Sequence, residues 1–494
     1  MTVDNLIPLS IIAIFLIAII AVGKFASRQI RTSDDYMVAG GGTPLSLIVG
    51  TLFATFWGGG VIIGATGAAY DEGVFGVVED PFAAGLALML VGFFFVKILR
   101  GLNIKSVGEL YNRRFGTGTG YLASALMIPT YVVWTAVQLL AIGKIMNVMF
   151  CIDFTLVFLL AAVVVVIFTY MGGLVAVVWT DAIQMIIIFI GLAAILIAGF
   201  AAAGGIDNVM ASAPDGYWNI LPRDRSPTGW ISYLAMWSGM ALGNIPSPDI
   251  AQRAFMAKDS KTAYKGMLIA GSLYWTVGFI PIIIALIGIT LVANGSLNGD
   301  MFAHDSELLI PYMAKLLLGP VGMGIFVASL VAAILSSAST SLFATAVLFS
   351  NDIYKPLRSS FSKRSINDDD EDMLKATKLF VVAVGMLAVS VGLACNFIYD
   401  LTIFAFTLQL GVLFFPFVLA LKSKWVNTYG VVAGMLGGMV VNVIGCLSQQ
   451  SIIPKPWEFY TLAPALINLA LIVSVSLLTR RRSQAYPLES LYFD

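Results

Sequence analysis

The chain has 494 residues, 59% of them hydrophobic and only 11% charged, with a mean hydropathy of +0.92. That balance belongs to a polytopic membrane protein and leaves no segment for a soluble catalytic domain. Basic and acidic residues are equal at 28 each, so nothing in the charge points to nucleic acid.

Apolar runs near the roughly 20 residues needed to cross hydrocarbon occupy 6–27, 45–70, 75–99, 120–150, 154–171, 176–203, 229–247, 262–293, 317–351, 374–395, 398–421, 426–447 and 458–480. The expectation is an all-α protein of thirteen transmembrane helices forming one domain over 1–494. An odd number puts the termini on opposite sides of the membrane. With the N-terminus outside, every basic residue except Lys144, Arg223, Arg225, Lys315 and Lys455 falls at a cytoplasmic helix end or loop. The positive-inside rule therefore orients the N-terminus outside and the 481–494 tail in the cytoplasm of a cell-membrane protein. The first run lacks a small-residue cleavage site and reads as a retained helix.

The second run carries Gly58, Gly59 and Gly60 in mid-membrane. The seventh runs into Gly243-Asn244-Ile245-Pro246-Ser247-Pro248-Asp249. Glycine weakens a helix by about 1 kcal/mol per residue and proline by about 3, so both runs are expected to break there. Exposed backbone at that depth is tolerated only where it lines a cavity or is buried by protein. The two breaks are five runs apart, and a unit of five repeated in tandem is inverted in the membrane. That is the pattern of an inverted-repeat secondary transporter, with substrate and ions at the breaks. The ninth run places five hydroxyls in Ala333-Ile-Leu-Ser336-Ser337-Ala-Ser339-Thr340-Ser341. At helical spacing Ala333, Ser336, Ser337 and Thr340 share a face. Such a stripe serves either close helix packing or a small hard cation such as Na⁺.

Other signals carry less. Gly116, Gly118 and Gly120 follow no strand and read as the flexible start of a helix. Cys151, Cys395 and Cys446 fall near outer helix ends and show no metal spacing, which leaves a disulfide between two of them or, as they read here, buried free thiols. The acidic run Asp368 to Asp372 reads as a solvated loop.

Several segments together resemble the sodium:solute symporter family. Ser33-Asp34-Asp35-Tyr36-Met37-Val38-Ala39-Gly40-Gly41 resembles the stretch after that family's first helix. Ser106-Val-Gly-Glu-Leu-Tyr-Asn-Arg113-Arg114-Phe115-Gly116 resembles its amphipathic cytoplasmic segment. Gly172-Gly173-Leu174-Val-Ala-Val-Val-Trp-Thr180-Asp181-Ala-Ile-Gln184 matches its most recognisable motif, and Gln252-Arg253 and Ala333 to Ser337 fall in register. The resemblance implies a LeuT-like core of ten helices, a 5+5 inverted repeat over 45–421, with a peripheral helix at 6–27 and two more over 426–480. It implies Na⁺ and a small organic solute as the transported partners, in a monomer or a homodimer. By position, Na⁺ would be held by the carbonyls of Ala54, Trp57 and Ala333 and the hydroxyls of Ser336 and Ser337. Asp181, Ser339 and Thr340 match a second ion site of some relatives, although Phe56 stands where a hydroxyl would help. Asp181 either guides the ion or caps a helix start.

Within the family, Ala54 to Tyr70 and Asn427 to Gly434 resemble the choline-transporting branch. A quaternary ammonium is held by aromatic faces. Phe56, Trp57 and Trp134 are the candidates, with Gly58, Gly59, Asn244, Ser247, Asp249 and Gln409 as polar neighbours of the solute. Ser247 and Ile403 stand where that branch has aromatics. Asp249 either meets the solute or is a solvated helix terminus. A membrane enzyme would need a nucleophile and base or a metal cluster at depth. His304 is the single histidine and lies in an outer loop. A solute sensor on the same scaffold is the remaining alternative, and it would signal through a separate partner.

Overall fold

The computed structural model describes residues 3–28, 33–361, 371–394, 398–448 and 457–480. The expected tail 481–494, Asp368 to Asp370 of the acidic run, and Cys395 lie outside them. Cys151 is exposed, against the expectation of a buried thiol. The described residues are helical throughout and contain no β-strand, only an isolated bridge between Thr43 and Ala257.

The helices are α1 (Val3–Ser27), α2 (Leu45–Phe56), α3 (Ala65–Glu72), α4 (Ala84–Phe94), α5 (Val107–Phe115), α6 (Thr117–Phe150), α7 (Phe154–Ala202), α8 (Pro227–Gly243) and α9 (Pro248–Met256), with shorter turns between them. They continue as α10 (Ser260–Val277), α11 (Phe279–Ala293), α12 (Pro320–Val347), α13 (Glu371–Gly392), α14 (Ile398–Lys422), α15 (Thr428–Ser448) and α16 (Trp457–Leu478). Among the described residues ten helices are long and apolar enough to cross a membrane, not thirteen.

The difference has three physical sources. Runs 154–171 and 176–203 form one helix of 49 residues, interrupted only at Gly173, whose φ of 50° suits glycine. Unbroken, it would reach about 74 Å, more than twice the roughly 30 Å of hydrocarbon. The other two sources are the weak points read from sequence: α2 ends at Phe56, and α8 ends at Gly243 before Pro248 opens α9.

The polar ninth run, α12, is the centre of the molecule. Its most apolar stretch is 83% buried by protein, whereas that of α7 is 28% buried and faces outward. Hydroxyls that hydrocarbon cannot solvate thus find their partners on α2, α6, α7 and α9. The two broken runs are tied at one end of the bundle. Thr43 N–H donates to Met256 O (2.9 Å), Lys258 N–H to Thr43 O (3.0 Å), and Arg100 Nε to Ala257 O (2.6 Å). Capping fixes the helix starts nearby, where Ser106 accepts from Glu109 N–H and Asp259 from Thr262 N–H, and at the opposite end of α8 Ser226 accepts from Gly229 N–H. α5 is held onto the end of the α12 segment by Asp352, whose carboxylate accepts from Ser106 and Ser124.

Candidate functional site

The first break opens where helical backbone stops. Trp57 has φ −84° and ψ 66°, so its carbonyl leaves the ladder of α2, and helical winding resumes at Gly60. Glycine is required at Gly58 by space: a Cβ there would lie 2.6 Å from Ser337 Oγ and 2.7 Å from Gln138 Oε1. α12 therefore presses directly onto the break. Ser337 Oγ donates to Thr55 O at 2.7 Å and lies 3.4 Å from Ala54 O. Gln138 of α6 accepts from Gly59 N–H at 2.9 Å.

One turn away, Asp181 of α7 is fully buried and gathers hydroxyls from two other helices. Its carboxylate accepts from Ser336 Oγ (2.6 Å) and Thr51 Oγ1 (2.5 Å). Asp181 lies about two helical turns beyond Gly173, so it caps no helix start. Arg253 of α9 faces it at 3.8 Å, also fully buried. Its Nη2 points at the hydroxyls of Thr51 (3.1 Å), Thr55 (2.8 Å) and Thr340 (2.9 Å). A buried ion pair of this kind is held by its surrounding hydrogen bonds, since desolvation offsets much of the attraction.

The structure brings Ser336 and Asp181 together, and Ser337 with the carbonyls of Ala54 and Thr55. Ala333 lies one turn before Ser337 on the same buried stretch of α12. Thr340 is engaged by Arg253, and Ser339 Oγ turns back onto Ser336 O at 3.1 Å. The hydroxyl facing Thr340 comes from α2, through Thr55 at 3.4 Å, one residue before Phe56, which stands in its place in sequence.

Around the second break, Asn244 Nδ2 donates to Met240 O (2.8 Å), and Gln409 Nε2 of α14 donates to Ser247 Oγ (3.0 Å). Asn244 Oδ1, Gln409 Oε1 and Thr407 Oγ1 are buried and have no partner among the described residues. Asp249 is no solvated terminus. It is 1% exposed, and its carboxylate accepts from Tyr131 OH.

Of the aromatic candidates, Phe56 and Trp134 meet at 6.4 Å between ring centroids. Tyr131 (5.6 Å) and Phe406 (5.5 Å) complete the group around Trp134. Trp57 turns elsewhere, stacked on Phe53 at 5.3 Å with Tyr274 against its edge. Gln138, Tyr131, Thr51, Thr55 and Tyr274 escaped the sequence reading. They sit on regular helix faces, where a lone polar residue gives no local signal. Outside the spans, burial raises the Glu307 carboxyl above its usual range, with Lys144 pulling it back down.

Broken helices, a buried hydroxyl and carboxylate cluster at one break, and unpartnered polar groups beside aromatic rings at the other define a membrane transporter for an ion and a solute. The sequence model described as "Sodium:solute symporter family" matches residues 36–438, and the chain belongs to that family. It is similar to the human high affinity choline transporter 1, at 26% identity over 91% of this chain and 78% of that protein. It is also similar to the osmoregulated proline transporter OpuE of Bacillus subtilis, at 27% identity over 98% of this chain and 97% of that one. Among solved structures, an outward-open Na⁺-coupled sialic acid symporter superposes with a TM-score of 0.80 at 22% identity, over 97% of this chain and 98% of the other. That likeness shows a shared fold, the LeuT fold of Na⁺-coupled transporters. The chain is a multi-pass membrane protein of a family that uses Na⁺.

Proposed function

We propose that the protein is a secondary active symporter that imports a small organic solute together with Na⁺ by alternating access, the solute being choline-like or another small osmolyte or nutrient. One observation carries this reading: Ser336 and Ser337 converge on the backbone oxygens of the first break and on the Asp181 carboxylate, at membrane depth. Na⁺ would be held by the carbonyls of Ala54, Trp57 and Ala333 and the hydroxyls of Ser336 and Ser337. Oxygen ligands suit a hard cation. Asp181 would carry the ion between this site and the cytoplasm, with Ser339 and Thr340 as the polar groups beyond it. The solute would lie between the breaks against Phe56 and Trp134, its polar groups meeting Asn244, Ser247 and Gln409. Asp249 would reach it through Tyr131.

In this reading the core over 45–421 is a 5+5 inverted repeat within thirteen spans, with 6–27 and 426–480 peripheral. The paired breaks, each opening its repeat, support that arrangement. The N-terminus is outside and residues 204–228 are extracellular, as the basic residues require. Ser212→Cys in a cysteine-free background should be labelled by an impermeant maleimide added to intact cells. Labelling only after permeabilisation reverses the orientation.

The functional test is uptake into proteoliposomes. Radiolabelled choline and proline, the solutes named for the two relatives, head a panel of small solutes, each offered with an inward Na⁺ gradient or with K⁺ in its place. Na⁺-dependent accumulation of one solute supports the symporter. A solute that binds and is never accumulated contradicts it.

A further inference from the structure

At the far end of α3 lies a cavity of about 420 Å³. That volume suits a small organic molecule, whose pockets run from about 300 to 1,000 Å³. Six carboxylates line it: Asp71, Glu72, Glu79, Asp305, Glu307 and Asp400. Three are accounted for. Lys144 Nζ bridges Asp305 (2.7 Å) and Glu307 (2.6 Å), Glu307 also accepts from Tyr399 N–H (2.8 Å), and Asp71 accepts from Ser306 Oγ (2.6 Å). Glu72, Glu79 and Asp400 accept no hydrogen bond and pair with no cation among the described residues. Arg223 reaches only the Glu72 carbonyl, at 3.4 Å.

Glu79 is the decisive group. It lines the cavity yet is only 8% exposed, and among the described residues no hydrogen-bond donor or cation meets its carboxylate. Ionising a carboxylate so placed is costly until a cation is supplied to it. An inorganic metal ion is a poor match, because among the described residues no three His, Cys, Asp or Glu side chains converge to hold one. A bulky ammonium needs no such convergence. It requires negative potential spread over a cavity of its own size.

We propose that this cavity binds a small organic cation, with Glu79 as its anchor and Glu72 and Asp400 at its rim. This rests on the transporter reading for its purpose: the cavity would receive the solute before it reaches the breaks, and so it makes the solute cationic. The chain leads inward from it. Asp80, the next residue, accepts from Tyr274 OH (2.9 Å), which also lies 2.9 Å from the carbonyl of Phe56, the ring facing Trp134.

The test uses the purified full chain with Cys151, Cys395 and Cys446 replaced by serine and Ala303→Cys as reporter on the exposed lip of the cavity. The rate of its modification by a trimethylammonium-ethyl methanethiosulfonate is measured against added tetramethylammonium chloride, with NaCl at equal ionic strength as control. Tetramethylammonium should protect saturably. Glu79→Gln should raise its half-protecting concentration about tenfold and Asp400→Asn about threefold, the loss expected for one unit charge at close and at rim distance. Asp400 is exposed, so its variant reports even where Glu79→Gln does not fold. Trp134→Leu should leave protection unchanged, which separates this cavity from the breaks. Protection no better than NaCl, or equal in both charge variants and the parent, overturns the proposal. Na⁺ binding measured on the same preparations fails or survives independently, so the symporter reading and the cavity are judged apart.

Discussion

The first break, Trp57 to Gly60, has the buried Trp57 indole N–H as its one polar side-chain group, without a partner among the described residues, and neighbouring helices meet the backbone around it: Gln138 takes the Gly59 N–H and Ser337 bonds the Thr55 carbonyl. The second, Asn244 to Ser247, is satisfied from within. Asn244 bonds Met240 O through both its backbone and its side chain, Ser247 N–H bonds Asn244 O (3.1 Å), and prolines set the turn. The comparison separates two uses of exposed backbone. Glycine lets a partner helix approach closely enough to pool carbonyl and hydroxyl oxygens, which suits an ion. Polar side chains at the other break leave Asn244 Oδ1 and Gln409 Oε1 without partners among the described residues, which suits a solute. The second break also delivers the charge that faces the first, because α9 carries Arg253 to Asp181.

The largest expected effect comes from cutting that link. Arg253→Met leaves Asp181 buried without its cation, and removing one partner of a buried pair costs about 3 to 5 kcal/mol. Thermal unfolding of the purified protein should show the lowest midpoint of any single variant here, and Asp181→Asn in the same chain should restore part of it. An unshifted midpoint means that the two breaks are not coupled through this pair.

Gly58→Ala comes next and tests the close approach of α12. The added methyl meets Ser337 and Gln138 inside van der Waals contact, and overpacking of a tight core costs about 1 to 3 kcal/mol. Sodium affinity should fall with it, whereas Asn244→Ala at the other break should weaken solute and leave sodium within about twofold, since distant sites act independently. If both variants disturb sodium equally, the division of labour between the breaks is wrong.

The breaks themselves were legible because glycine and proline are local signals. Three consecutive glycines and a Pro-x-Pro show where a helix must fail whatever surrounds it. The hydroxyl stripe of α12 was legible for a similar reason, since hydrocarbon forbids it. The partners of these features were not. Nothing around Gln138 or Tyr131 announces that one reaches Gly59 and the other Asp249, because such pairings depend on how helices distant in sequence are packed. Trp57 illustrates the converse. Its position beside the break made it an aromatic candidate, yet its ring packs on Phe53, a choice fixed by rotamer and not by sequence.

A smaller effect sharpens the solute side. If the solute is a quaternary ammonium, Trp134→Leu should raise its Michaelis constant by forfeiting about 0.5 to 2 kcal/mol of cation–π attraction, and Trp134→Phe should restore most of it. Equal loss in both means that shape and not ring charge selects the solute. Uncharged solutes should respond little to either change.

The central claim is that the first break and α12 together hold Na⁺, and binding of radioactive sodium to the purified protein tests it without any solute. The parent should bind sodium saturably. Ser336→Ala and Ser337→Ala should each weaken that binding about tenfold while unfolding near the parent temperature, because a hydroxyl that only packs is worth about 0.6 kcal/mol in a membrane helix. Unchanged sodium affinity in both variants would contradict the account and make the stripe a packing surface.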